Sequence, residues 1–158
     1  MSENYVDIMI RSLKKKEEVL RAIVEENRKQ REILEDVDGE ADAFDATVEA
    51  KSALIEQIEY LDSGFEKMFA HVKETIDADK DRYAEQIRTI QRLIRSITDL
   101  SVEMQSQETR NRDLMVSKFT QVKRQVKTAR ISEAAASQYY RNMARMNLVD
   151  PQFLDDKQ

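Results

Sequence analysis

His71 is the chain's only histidine, and there is no cysteine. Together they close off most of the chemistry a side chain can do. No cysteine-ligated metal, thiolate nucleophile or multi-histidine zinc site can be assembled. A Ser–His triad would have to form around His71, which has Lys67 four residues before it and Glu74 three after it on one helix face. That setting reads as a solvated helix surface. Acids are plentiful, but no pair stands apart from a helix-surface background, and no group is placed to activate one. A di-metal bundle would need Glu-x-x-His on facing helices. The two glycines, Gly39 and Gly64, are isolated, so no phosphate-cradling loop can be drawn. The expectation is a protein that is not an enzyme and that needs no metal and no cofactor.

The elements that carry these residues must be long helices. From Phe65 to Asp150 there are 86 residues without glycine or proline, and Pro151 is the only proline. A chain so poor in both has few ways to turn. Charged residues make up 36% and aromatics 6%, with no tryptophan. Such a mixture suits a narrow core spread along a helical rod better than a compact globule. The stretch Met1-Ser2-Glu3-Asn4-Tyr5 lacks a basic region followed by an apolar run, and no stretch approaches ~18 apolar residues. A soluble, cytoplasmic protein without membrane insertion is expected.

Heptad seams place three helices. The first, over 4–37, begins after Ser2 or Asn4 as cap and carries Val6, Met9, Leu13, Leu20, Ile23, Leu34 and Val37. Lys16, Asn27 and Gln30 are its polar seam members. Gly39 is the expected left-handed cap. The second, over 43–77 with Asp42 as cap, runs Phe44, Val48, Lys51, Ile55, Ile58, Asp62, Phe65, Phe69, Val72 and Ile76. Its seam keeps phase across Gly64, which favours one continuous helix over a capping box at Ser63 and Glu66. Two helices of near-equal length then require a reversal around Asp77–Asp81. The third helix, over 81–146, is far longer. The fold class expected is all-α: an antiparallel three-helix bundle or coiled-coil rod, one domain over 1–158, with an over-long third helix and a tail at 147–158.

That third helix changes character midway. Tyr83, Ile87, Ile90, Ile94, Ile97, Ser101 and Met104 form a dense seam. The same phase then continues through Glu108, Asn111, Met115, Lys118, Val122, Gln125 and beyond with few large apolar members. Residues 32–79 hold fifteen acids and three bases, whereas residues 110–146 hold nine bases and two acids. A basic helix overhanging its bundle with an incomplete apolar stripe suggests a partner face. Leu114, Met115, Phe119, Val122, Val126, Tyr139 and Met143 are its candidate contacts. The competing reading is that this segment folds back on the bundle. The adjacent Tyr139 and Tyr140 are candidates for a second protein contact, and Phe153 with Leu154 in the acidic tail for a docking peptide. The basic segment alone would favour nucleic acid, but a net charge of −5 and the lack of a recognised motif argue against it. Self-pairing of the overhang into a homodimer is the structural alternative.

Two segments resemble a known family. Lys51-Ser52-Ala53-Leu54-Ile55-Glu56-Gln57-Ile58-Glu59-Tyr60-Leu61-Asp62 resembles the second helix of FlgN-type flagellar export chaperones, and Asn111-Arg112-Asp113-Leu114-Met115 resembles their Asn-Arg-x-Leu-x in the third. The stretch from Ser137 to Phe153 is similar to the ending of a clostridial-type subgroup. The resemblance implies a cytoplasmic carrier. It would bind the amphipathic C-terminal segments of flagellar hook-associated proteins, prevent their premature assembly, and deliver them to the type III export gate. On that view the stripe from Leu114 to Met143 is the client-binding face, and Tyr139 and Tyr140 contact the gate. FliT-like chaperones, which differ mainly in client, are similar too.

Overall fold

The structure is a computed structural model that describes residues 4–125 and 133–148. Among the described residues five helices run in chain order: α1 Tyr5–Glu35, α2 Ala41–Asp62, α3 Phe65–Ala78, α4 Ala84–Gln125 and α5 Glu133–Leu148. No strand occurs among the described residues. The fold is an all-α helical bundle.

Both ends of α1 have a local cause. Asn4 caps α1, its side chain accepting a hydrogen bond from the Asp7 amide at 2.9 Å. At the other end the Lys118 ammonium of α4 donates to the carbonyls of Ile33 at 3.2 Å and Asp36 at 2.9 Å. A cation there satisfies carbonyls that the finished helix leaves open. Gly39 is not in the left-handed conformation expected of it. It serves close approach instead: a Cβ would lie 2.3 Å from the Ile33 carbonyl oxygen and 3.0 Å from the Lys118 ammonium. Val37, expected in the seam, lies beyond the end of α1 and is 82% exposed.

The expected second helix is divided. It stops at Asp62 and restarts at Phe65, with the Ser63 amide bonded to the Tyr60 carbonyl at 3.3 Å. The capping box does not form, because the Ser63 hydroxyl turns back to the Tyr60 carbonyl at 2.7 Å. Phe65 and Val72 remain buried on the same side as Ile55 and Ile58, so the break interrupts hydrogen bonds without shifting the seam. The reversal between α3 and α4 spans 79–83.

The third helix differs most from its expected bounds of 81–146. α4 ends at Gln125, residues 126–132 lie outside the described residues, and α5 packs back on α2. In one continuous helix Glu108 and Tyr139 would stand about 46 Å apart. Instead the Tyr139 hydroxyl reaches the Glu108 carbonyl at 3.5 Å. The side-chain pairings give the directions. α2 is antiparallel to α1, with Lys16 on Asp62 and Gln30 on Thr47. α4 is parallel to α1, with Asn111 on Asn27 and Lys118 on Ile33. α5 is parallel to α2, with Tyr139 on Phe44, Asn142 on Val48 and Arg145 on Glu59. Among the described residues, one end of the bundle therefore has four helices and the other has three: α1, α3 and the start of α4.

Candidate functional site

Where α5 returns, a small apolar cluster and a polar layer meet. The apolar part holds Leu34 of α1, Phe44 and Val48 of α2, Met115 of α4, and Ala135 and Tyr139 of α5. Leu114 and Met143 pack at its edge, half-buried. The Phe44 and Tyr139 rings lie 6.0 Å apart. Helical spacing in four separate elements brings these side chains to one point, and each large one contributes about 1.5–3 kcal/mol when fully buried.

The polar layer separates this cluster from the longer core, which α1, α3 and the first half of α4 build with Ile55 and Ile58 of α2 and Met146 of α5. Lys51 has no solvent exposure, and its ammonium is ion-paired with the Glu108 carboxylate. The same ammonium donates to the Gln30 side-chain oxygen at 3.3 Å and lies 5.3 Å from the centre of the Tyr139 ring. Gln30 donates to the Thr47 hydroxyl at 3.1 Å, and Asn111 donates to the Asn27 carbonyl at 3.0 Å. From α5, Asn142 donates to the Val48 carbonyl at 3.3 Å and accepts from the Ser52 hydroxyl at 3.1 Å. At the rim the Arg145 guanidinium pairs with the Glu59 carboxylate, which joins the basic end of the chain to its acidic middle.

Burial sets the electrostatics. Desolvation pulls the Lys51 pKa down, against the opposing pull of Glu108. Burial pushes the Tyr139 phenol well above its ordinary range, with the Glu108 charge adding to it. The hydrogen bond from Arg145 holds Glu59 below the usual carboxylate value. A lysine with a lowered pKa beside a carboxylate resembles a catalytic pair. Here the pair is buried inside the bundle, with the Gln30 side chain bonded to the ammonium and the Tyr139 ring beside it. Among the described residues no group of three His, Asp or Glu could hold a metal. His71 is exposed as expected, and its ring stacks on Tyr5 at 4.6 Å.

Of the expected contact residues, Leu114, Met115, Tyr139 and Met143 meet in one cluster, as two sides of a closed seam and not as one open stripe. Met115 is 1% exposed and faces α5, while Tyr139 belongs to α5 and is 0% exposed. Tyr140 is 46% exposed and meets the Tyr139 ring edge-on at 5.8 Å. Val126 and the side chains of Phe119 and Val122 lie outside the described residues, as does the tail from residue 149 onward. Sequence reasoning missed the partnering of Glu108 and Asn111. The available signal was that both occupy seam positions opposite polar seam members of α1 and α2.

No helix among the described residues is long and apolar enough to cross a membrane. Comparisons with curated proteins and with solved structures give no match. A family model described as FlgN protein matches residues 1–147. With a match over nearly the whole length and an all-α bundle to carry it, the chain belongs to the FlgN family of flagellar export chaperones.

Proposed function

We propose that this protein is a cytoplasmic carrier for the amphipathic C-terminal segments of flagellar hook-associated proteins. It holds them unassembled and passes them to the type III export gate. The observation that supports a binding place is α5 itself. One amphipathic helix already lies in the groove between α2 and α4, so the groove accepts a single helix with apolar residues at helical spacing. A client helix enters there in place of α5 and meets Leu114 and Met115, and Phe119, Val122 and Val126, which follow in the sequence, are the further contacts proposed for it. Tyr139 and Met143, carried by the departing helix, are then free to contact the client's outer edge. The α5 interface favours exchange, because much of it is polar: Asn142, Ser52 and Arg145 form hydrogen bonds that water can replace. Tyr140, already at the surface, is the better placed of the two tyrosines to touch the gate.

The test uses the absence of native cysteine. A Ser52→Cys/Asn142→Cys variant is bridged with a short bis-maleimide, and binding of labelled hook-associated peptides is followed by fluorescence anisotropy. The unbridged protein should bind and the bridged protein should not. Equal binding by both would remove the groove from the proposal. No binding by either, with wild type also silent, would remove the carrier function.

A further inference from the structure

The apolar face that α5 covers continues past the described end of α5 at Leu148. There α3 and α4 border a groove of about 350 Å³. Met9 of α1 forms its floor, Phe69, Val72 and Ile76 of α3 one wall, and Ile87 and Ile90 of α4 the other. Phe69, Ile76 and Ile87 are only half-buried. Lys73, Asp77 and Lys80 stand on the rim. This is the end of the bundle where, among the described residues, three helices meet and none packs in the fourth position.

We propose that the chain's own C-terminal stretch docks there, with Phe153 and Leu154 seated against Phe69, Val72 and Ile87. Three observations select this occupant. The first is direction: α5 runs parallel to α2 and is aimed along the same groove, since its contacts advance from Phe44 through Val48 to Glu59. The second is length. Phe69 lies ten residues past Glu59, a distance of about 15 Å along the helix axis. Phe153 lies five residues past Leu148, a reach of about 17 Å for an extended chain. Pro151 suits an extended path, because it cannot continue the helix and disfavours helical backbone in the residue before it. The third is charge: Asp150, Asp155 and Asp156 flank the apolar pair, whereas Lys73 and Lys80 outnumber Asp77 on the rim. Phe153 and Leu154 are the only large apolar residues of the chain beyond Val149. The docked stretch would cover apolar surface that lies past the described part of α5.

Cysteine pairs decide it. In Gln152→Cys/Lys73→Cys, mild oxidation should form an intramolecular disulfide about tenfold or more faster than in the control Gln152→Cys/Glu49→Cys, because docking raises the local thiol concentration. Adding Phe153→Ala and Leu154→Ala should return the rate to the control level. Equal rates in the two pairs, or no response to the alanines, would overturn the proposal. Disulfide-linked dimers as the main product would overturn it as well, assigning the groove to a second copy.

Discussion

Lys51 of α2 and Glu108 of α4 form an ion pair in the centre of the bundle, with Lys51 fully removed from solvent. Taking both charges out of water costs several kcal/mol each, and their attraction offsets this only with good geometry and further hydrogen bonds. Gln30 supplies one such bond to Lys51, but Glu108 Oε2 has no hydrogen-bond partner. The pair therefore contributes more to alignment than to stability. It lets α2 and α4 meet in one register, because a slip by one heptad would bury each charge against an apolar seam.

Lys51→Met alone and Glu108→Leu alone should each destabilise the fold by about 3–5 kcal/mol, since each leaves an uncompensated buried charge. The double variant should lie within about 1 kcal/mol of wild type or above it. Urea denaturation followed by circular dichroism gives all four corners of the cycle. Additive losses in the double variant would mean that the two side chains do not act as a pair.

Gly39 should tolerate no side chain. A Cβ there would sit against the Ile33 carbonyl, which is backbone and cannot swing away, and beside the ammonium that holds it. Gly39→Ala should cost about 1–3 kcal/mol, the range for overpacking a fitted site. Lys118→Met should cost less, about 1 kcal/mol, because water can reach part of the carbonyls it caps. The two losses should not add in the double variant, as both disturb the same contact.

Much of this fold was legible in the seams, including their polar members. Lys16 and Asp62, which interrupt two separate apolar seams, pair with each other at 2.8 Å. Asn27 and Gln30 meet Asn111, and Lys51 meets Glu108. Opposite charges at facing seam positions are therefore a readable sign of an antiparallel partner. The return of α5 was harder to read, because glycine and proline are absent from the whole of 126–132. Its apolar positions kept the phase of α4, so the periodicity looked like one helix. The partner of Tyr139 is set by tertiary contact with Phe44 and Met115, which no local pattern encodes.

Gly64 marks a different kind of ambiguity, and substitution resolves it. A Cβ at Gly64 meets nothing within 4 Å, and its φ of −110° is open to any residue. Gly64→Ala should stabilise the protein by about 0.4–1 kcal/mol by restricting the unfolded chain. It should also raise helicity, because α2 and α3 already share a seam and need only a bridging turn to join. Thermal unfolding and circular dichroism test both effects. A loss of stability would mean that the break at Ser63 is required for packing.

Tyr139 predicts how α5 responds to alkali. Its phenol is buried, which raises its pKa in the folded state above the ordinary value of 10.0. A raised folded pKa means that the native state binds the proton more tightly than the unfolded chain does. The stabilising contribution is therefore complete below pH 10 and is lost as pH rises past it, by about 1.4 kcal/mol per pH unit. Lys51 acts in the opposite sense: its pKa is lowered, so its buried charge becomes less costly as pH approaches 10.5. Comparing Tyr139→Phe with wild type isolates the phenol, because both proteins keep Lys51. The variant should lose at most about 1 kcal/mol at neutral pH, since the hydroxyl makes only a long bond of 3.5 Å. Above pH 10 its stability should fall less steeply than that of wild type, and the two curves should converge or cross. Parallel curves through pH 11 would show that Tyr139 ionises as an exposed tyrosine does, and that α5 is already off α2 in solution.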